Sequence, residues 1–139
     1  MATHAPAVIE VRGLRKSFGK TLVLDGIDLE VPARSIFALL GPNGAGKTTT
    51  IDILSTLLLP DAGEVLVSGA DVVRDPAAVR RVIGLTGQVS AVDKQFTGEE
   101  NLRLMADLVH LGRAEGRRRV AELLDQFDIE AIAGRPAMT

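Results

Sequence analysis

The hydrophobic positions at the start of the chain come in short runs that are separated by glycines. Apolar runs of this length, bounded by turn residues, predict short strands of an antiparallel sheet over residues 7–31. Residues 35–40 are almost continuously apolar. Such a run predicts a strand that is buried on both faces.

Beyond residue 46 the pattern alternates between helix and strand. A helix is predicted over 47–58 and strands over 64–68 and 82–86, with a turn at 60–63. A short helix is predicted to begin near Pro76, because proline suits the first helical turn. This order indicates an α/β core.

The last third of the chain has helical periodicity. Thr97 and Glu100 have the spacing of a capping box, which predicts a helix that runs to about Leu111 and ends at Gly112. The helix after it is predicted to bury one apolar stripe at i, i+3, i+4 and i+7. The stripe consists of Val120, Leu123, Leu124 and Phe127.

A phosphate-binding motif lies between the run at 35–40 and the helix predicted to begin at Lys47. Residues 41–48 match the pattern G-x-x-x-x-G-K-[ST]. A glycine-rich turn without a ligand has no need of Lys-Thr at its end, so the pattern predicts a nucleotide site. The predicted binding residues are Gly41, Pro42, Asn43, Gly44, Ala45, Gly46, Lys47, Thr48 and Thr49.

Each residue type in this loop serves the recognition of phosphate. Glycines allow backbone N–H groups to point inward as an anion-binding nest. The helix that follows adds the positive end of its dipole, and Lys47 brings a full charge to the β- and γ-phosphates. The Thr48 hydroxyl is an oxygen ligand suited to Mg²⁺.

Composition narrows the class of protein. Hydrophobic residues make up 46% and charged residues 24% of the 139 residues, as in a soluble globular domain. The net charge of −2 gives no general reason to expect a nucleic-acid partner, and the absence of cysteine excludes disulfides. No apolar stretch approaches the roughly 20 residues of a spanning helix, and no secretion signal is evident, so a cytoplasmic location is expected.

Two segments that flank the loop identify a family resemblance. With its GPNGAGKTT loop, the chain resembles the nucleotide-binding domains of ATP-binding-cassette (ABC) transporters. Residues 14–19 look like the family's A-loop, which implies that Phe18, in place of the usual tyrosine, stacks on adenine and that Val23 flanks the ribose. A role for Phe18 as an ordinary core residue stays open.

The second segment, residues 83–88, looks like the strand that leads to the family's Q-loop. The resemblance implies that Gln88 approaches Mg²⁺ and the attacking water, so Thr48 and Gln88 are the expected metal-site residues. It also implies that ATP and Mg²⁺ are the cofactors.

The resemblance gives a fold class and a domain organisation. We expect an α/β fold: a P-loop NTPase core of the ABC ATPase type, with an N-terminal antiparallel β-subdomain and the start of a helical subdomain. The expected parts are a disordered 1–6, the β-subdomain 7–34, the core 35–90 and the helical start 91–139. Residues 92–94 and 96–102 most resemble the daunorubicin-resistance type of drug exporter.

Three of the family's motifs do not occur in the sequence. We find no LSGGQ-like signature, no Walker B strand that ends in Asp-Glu and no switch histidine. Hydrolysis needs a positioned water and a compensated metal. We therefore expect a truncated domain without catalytic residues of its own, apart from the water-positioning Gln88, that binds ATP without turnover.

The resemblance implies a transport role with two partners. The expected function is the ATP-binding subunit of an ABC transporter, a drug exporter, at the inner face of the membrane. It would bind a transmembrane permease subunit and a second nucleotide-binding domain, as a homodimer. The alternatives are a soluble ABC ATPase of DNA repair or translation, a GTP-driven switch, and a non-catalytic nucleotide-binding module.

Overall fold

The computed structural model describes residues 6–87 and 92–138. The chain forms two compact units, Met1–Thr86 and Gly87–Thr139. Of the predicted disordered terminus, only Pro6 lies within the described residues, and its carbonyl accepts a hydrogen bond from the Ala33 N–H. Gln88 lies outside the described residues.

A four-stranded antiparallel sheet organises the first unit. Its strands have the order β2-β1-β3-β4, and every neighbouring pair is antiparallel. They are β1 Ala7–Phe18, β2 Thr21–Pro32, β3 Ala62–Val67 and β4 Ala70–Asp71. The predicted antiparallel sheet is confirmed, but its first part is one hairpin of two 12-residue strands rather than several short ones.

One close contact explains a glycine in this sheet. Gly63 has φ +99°, and a Cβ on it would lie 2.6 Å from the carbonyl oxygen of Gly13 and 2.7 Å from that of Arg12. No side chain fits there, since real Cβ atoms do not approach backbone oxygens so closely. Glycine at this position lets β3 approach the irregular part of β1.

Two helices accompany the sheet. Helix α1, Lys47–Leu54, begins at the predicted residue but ends before residue 58, because Thr56 adopts φ 64° and the Leu57 N–H turns back to the Asp52 carbonyl. Helix α2, Pro76–Val82, begins with proline as predicted.

The core of the first unit lies where α1 and α2 pack on the sheet. Its members are apolar side chains that are at least 94% buried. They are Val11, Leu14, Leu24, Ile53, Val65, Val67, Val72 and Val79.

Two predicted strands are wrong. Residues 35–40 have no regular structure, and Ile36 and Leu40 are 102% and 88% exposed. At 82–86, Val82 closes α2, and the following residues are irregular. A strand needs a neighbour for its backbone hydrogen bonds, and within residues 6–87 no strand pairs with either segment.

The second unit is a pair of helices. Helix α3 is Gly98–Leu108, and helix α4 is Arg113–Gln126. The capping box is confirmed: the Thr97 N–H donates to Glu100 Oε2 at 2.8 Å, and the Glu100 N–H donates to Thr97 Oγ1 at 3.2 Å. Helix α3 ends at Leu108, three residues before the predicted Leu111. His110, two residues after the helix, has φ 59°, and this left-handed conformation does not continue a helix.

The predicted apolar stripe on α4 is correct in part. Val120 and Leu124 are buried, but Phe127 is 65% exposed. Helix α4 ends just before Phe127, and the chain then turns at Asp128, φ 52°, so the helical spacing no longer applies. Ile129 and Ala133 pack against the stripe instead.

A buried amide holds the start of the second unit. Asn101 is 7% exposed; its Oδ1 accepts the Asp93 N–H at 2.7 Å, and its Nδ2 donates to the carbonyls of Asp93 and Thr97 at 2.9 Å. Satisfied in this way, the amide fixes the loop before α3 to the helix.

Across the described parts of both units, every helix is too short or too polar to cross a membrane.

Candidate nucleotide-binding site

The phosphate loop is seated on strand β2 through Gly46. This residue is the N-cap of α1 with φ 80°, and its carbonyl accepts hydrogen bonds from both the N–H and the Oγ1 of Thr50, each 2.9 Å. A Cβ at Gly46 would lie 2.5 Å from Leu24 Cδ2 and 3.2 Å from the Val23 carbonyl oxygen. The left-handed backbone and the close contact both require glycine.

Lys47 folds back over the loop. Its Nζ donates hydrogen bonds of 2.7 Å to the carbonyl oxygens of Gly41 and Pro42. An ammonium group has three donors, so these bonds leave one N–H and place the positive charge beside the loop. Residues 41–45 are exposed to solvent, which leaves the loop open to a ligand.

The first turn of α1 is electrostatically suited to an anion. Gly46 supplies no side-chain cap, and the first turn contains no acidic residue. The helix therefore presents its free N–H groups and the positive end of its dipole without a carboxylate to compensate them. Thr48 is exposed on this turn, whereas Thr49 is half-buried.

Phe18 lies at the end of β1 and is not a core residue. It pairs with Thr21 across the hairpin and is 50% exposed. An exposed ring at a hairpin end offers a face to a flat ligand, and base–aromatic stacking of this kind contributes about 1–3 kcal/mol. The alternative role as a buried residue does not describe its position.

The ring and the phosphate loop lie along the same stretch of β2. Gly46 contacts Val23 and Leu24, and Thr21, the partner of Phe18, lies two and three residues before them. At about 3.4 Å per residue, this places the two features roughly 7–10 Å apart along the strand. That separation has the size of a ribose with its first phosphate, and the half-buried Val23 lies at the Gly46 end of it.

Of the two expected magnesium ligands, only Thr48 lies among the described residues. Thr48 stands on the loop, whereas Gln88 lies outside the described residues. Within residues 6–87 and 92–138, no group of three or more His, Cys, Asp or Glu residues could hold a metal ion. A threonine hydroxyl together with phosphate oxygens suits the coordination of Mg²⁺. This ion takes one or two protein ligands and completes its coordination shell with phosphate oxygens and water.

Two residues near the ring were not found by sequence reasoning. Lys16 Nζ lies over the Phe18 ring at 5.6 Å from its centroid, and the same Nζ donates to Asp61 Oδ1 at 2.7 Å. The alternation of β1 places residues 16 and 18 on one face and is a signal for the first contact. Asp61 belongs to a distant turn, and no local pattern joins it to Phe18.

The chain is similar in sequence to proteins of one known family. A family described as ABC transporter matches residues 24–139. This chain belongs to the ABC transporter family. The resemblance drawn from the loop and its flanks is thereby confirmed.

Curated ABC relatives carry names of the drug-resistance type. The chain is 50% identical over 131 residues to the daunorubicin resistance ATP-binding protein DrrA3 of Streptomyces coeruleorubidus, which covers 94% of the chain and 41% of that protein. It is 50% identical over 123 residues to the doxorubicin resistance ATP-binding protein DrrA of Mycobacterium tuberculosis, strain H37Rv, which covers 87% of the chain and 37% of that protein. The chain thus spans about two fifths of the length of these relatives.

A solved ABC structure supports the fold. The structure of an ATP-binding subunit of an ABC transporter is 31% identical and superposes with a TM-score of 0.74 over 93% of this chain and 54% of that one. The expected fold class is confirmed: an ABC ATPase α/β fold with an antiparallel β-subdomain and the helical start.

Proposed function

We propose that this chain binds ATP with Mg²⁺ at residues 41–49 and functions as the ATP-binding subunit of a drug-exporting ABC transporter. One observation carries the proposal. Gly46, fixed on β2, brings the ammonium of Lys47 and the uncompensated N-terminus of α1 to the same solvent-open loop. Two positive features at one exposed loop form a site for a polyphosphate.

Each residue of the proposed site has a distinct task. Free backbone N–H groups of the loop surround the β-phosphate, and Lys47 exchanges its bonds to the Gly41 and Pro42 carbonyls for phosphate oxygens. Thr48 contributes its hydroxyl to Mg²⁺, with Gln88 as a second ligand of the metal and its water. Phe18 stacks on the base, which gives the site its preference for a nucleotide over phosphate alone.

The transport role is supported by the drug-resistance names of the relatives. We assign to this chain a transmembrane permease partner, a second copy as the facing nucleotide-binding domain, and a place at the inner face of the membrane. A soluble ABC ATPase would bind ATP equally well. Co-purification with a membrane subunit separates the two, and loss of every membrane subunit from the purified complex would contradict the transport role.

Turnover is the second part of the proposal. The 139 residues contain no signature, Walker B Asp-Glu pair or switch histidine, so the chain is proposed to bind ATP without hydrolysing it. A chain that binds ATP without hydrolysing it acts as a nucleotide-binding module. Sustained phosphate release by the purified chain, at a rate above a buffer blank, would contradict this.

The experiment that tests the site is calorimetric titration of the chain with Mg-ATP. Lys47→Ala is expected to abolish measurable binding, because it removes the full charge beside the phosphates. Lys94→Ala removes the same charge from an exposed position in the second unit and serves as the control. Equal affinity of the wild type and Lys47→Ala would overturn the site, and a preference for Mg-GTP would overturn the choice of nucleotide.

A further inference from the structure

Asp61 binds three consecutive residues at the end of β1. Its Oδ1 accepts a hydrogen bond from Lys16 Nζ and its Oδ2 accepts one from the Ser17 N–H, both 2.7 Å, while its own N–H donates to the Arg15 carbonyl at 2.9 Å. The pairing of β1 with β3 ends at Arg15 and Ala62. Asp61 therefore extends the contact with β1 beyond Ala62, the first residue of β3, up to the residue before Phe18.

Lys16 carries this restraint to the aromatic ring. Its side chain is only 13% exposed, although that of Asp61 is 45% exposed. Its Nζ lies 5.6 Å from the centroid of the Phe18 ring, within the roughly 6 Å range of a cation–π contact. The ammonium thus touches a carboxylate on one side and the ring on the other.

The bonds to Asp61 favour its charged form. The hydrogen bond from Lys16 lowers the pKa of the Asp61 carboxyl, and the Ser17 N–H lowers it further. Asp61 therefore stays ionised to a lower pH than an unpaired aspartate, and the Lys16 ammonium keeps its partner there.

We propose that Lys16 and Asp61 are positioning residues that set the Phe18 ring in place for stacking on a nucleobase. The inference rests on the proposed function, in which Phe18 is the platform for the base. Lys16 occupies one face of the ring, so the base takes the opposite face. A half-exposed ring that is ordered beforehand loses less rotamer freedom when the base stacks on it.

This assignment separates two parts of the binding energy. Asp61 and Lys16 act on the base through Phe18, and neither contacts residues 41–49 through a hydrogen bond or ion pair among the described residues. The affinity for the base therefore depends on them, whereas the affinity for the phosphates does not. Inorganic tripolyphosphate, which has the phosphates without the base, measures the second part alone.

The experiment is a pair of titrations on the whole chain, one with Mg-ATP and one with magnesium tripolyphosphate. Asp61→Asn and Lys16→Met are each expected to lower the affinity for Mg-ATP by about threefold to tenfold and to leave the affinity for tripolyphosphate unchanged. The double variant is expected to lose no more than the larger single loss, because the two residues act through one contact.

Asp71→Asn is the matched control. The Asp71 carboxylate likewise accepts backbone N–H groups, those of Val73 at 2.7 Å and Arg74 at 2.9 Å, and it faces a cation, the Arg74 guanidinium, at 3.8 Å. It makes the same kinds of bonds as Asp61, but these bonds go to residues 73 and 74 and not to β1. This variant is expected to bind ATP like the wild type.

The outcomes distinguish the inference from the function beneath it. A wild type that binds neither ligand overturns the proposed function and the inference with it. Equal losses for ATP and tripolyphosphate, or unchanged ATP binding in both single variants, overturn the inference alone. If Asp61→Asn does not fold, Lys16→Met decides, since it leaves the bond from the Ser17 N–H to Asp61 in place.

Discussion

Gly46 lies so close to Leu24 that the last glycine of the phosphate loop has no room for a side chain. A Cβ at Gly46 would stand 2.5 Å from Leu24 Cδ2, and Leu24 is 2% exposed in the core. The loop thereby packs against β2 at Leu24, the fourth residue of that strand, and is not held only by its own backbone. This contact joins a core residue to the proposed ligand site. A substitution at Leu24 or Gly46 is therefore expected to alter both the packing of the core and the position of the loop.

Gly46→Ala is expected to destabilise the first unit and to abolish binding of Mg-ATP. The left-handed backbone at φ 80° costs about 1–2 kcal/mol for alanine, and the clash with Leu24 adds about 1–3 kcal/mol of overpacking. Denaturant unfolding measures the loss of stability, and calorimetry measures the loss of affinity.

Gly44→Ala separates the two causes. Gly44 has a similar φ of +82°, but nothing lies within 4 Å of its Cβ position. It is expected to lose only the backbone part, about 1–2 kcal/mol. Equal losses in the two variants would show that the contact with Leu24 contributes nothing.

Phe18 offers a direct optical test of base stacking. The sequence contains no tryptophan and no tyrosine, so Phe18→Trp introduces a single indole fluorophore. Its emission is expected to change on titration with Mg-ATP and to stay constant with tripolyphosphate, since only the base reaches the ring. Phe18→Ala is expected to lower the affinity for Mg-ATP by about tenfold, because it removes the stacking contact.

Phe127→Trp is the control for this measurement. Phe127 is 65% exposed and belongs to the second unit, so its indole is also in solvent. Its emission is expected to ignore both ligands. The same response to ATP from both positions would mean that the signal does not report stacking at residue 18.

The capping box makes the helical unit sensitive to acid. The Thr97 backbone N–H, and then its hydroxyl, lower the pKa of Glu100 from an ordinary value of 4.5. Because folding lowers this pKa, its contribution to stability is complete above 4.5 and is lost as the pH falls through the folded value. Glu100→Gln, which still accepts a hydrogen bond, is expected to lose less stability in acid than the wild type.

Glu99→Gln is the control, because it removes the same charge from the same helical turn. Glu99 pairs with Arg103 and makes no bond to Thr97 among the described residues. It is expected to keep the acid loss that comes from the capping box. Denaturant unfolding followed by circular dichroism at a series of pH values gives the comparison, and identical profiles for wild type and Glu100→Gln would refute this origin.

Local chemistry made several features predictable. The phosphate loop, the start of α1 at Lys47, the proline at the start of α2 and the capping box each depend on residues within a few positions of one another. Their side chains satisfy or replace backbone hydrogen bonds of the same segment, so the sequence alone carries the information. The family resemblance rested on the phosphate loop together with residues 14–19 and 83–88.

Features that depend on a distant partner were not predictable in this way. The apolar run at 35–40 has the composition of a buried strand, but composition supplies no neighbour for its N–H and C=O groups. In the second unit Ile129 packs in the place predicted for Phe127, because the turn at Asp128 redirects the chain.

The sequence by itself determined that a phosphate loop opens a helix, that the first strands pair antiparallel, and that a capped helix begins after Thr97. Only the tertiary structure decided that Gly46 rests on Leu24 and that Asp61 holds Lys16 over Phe18. The first group follows from the backbone needs of single segments. The second joins residues far apart in the chain, and such contacts form only when the packed core brings their segments together.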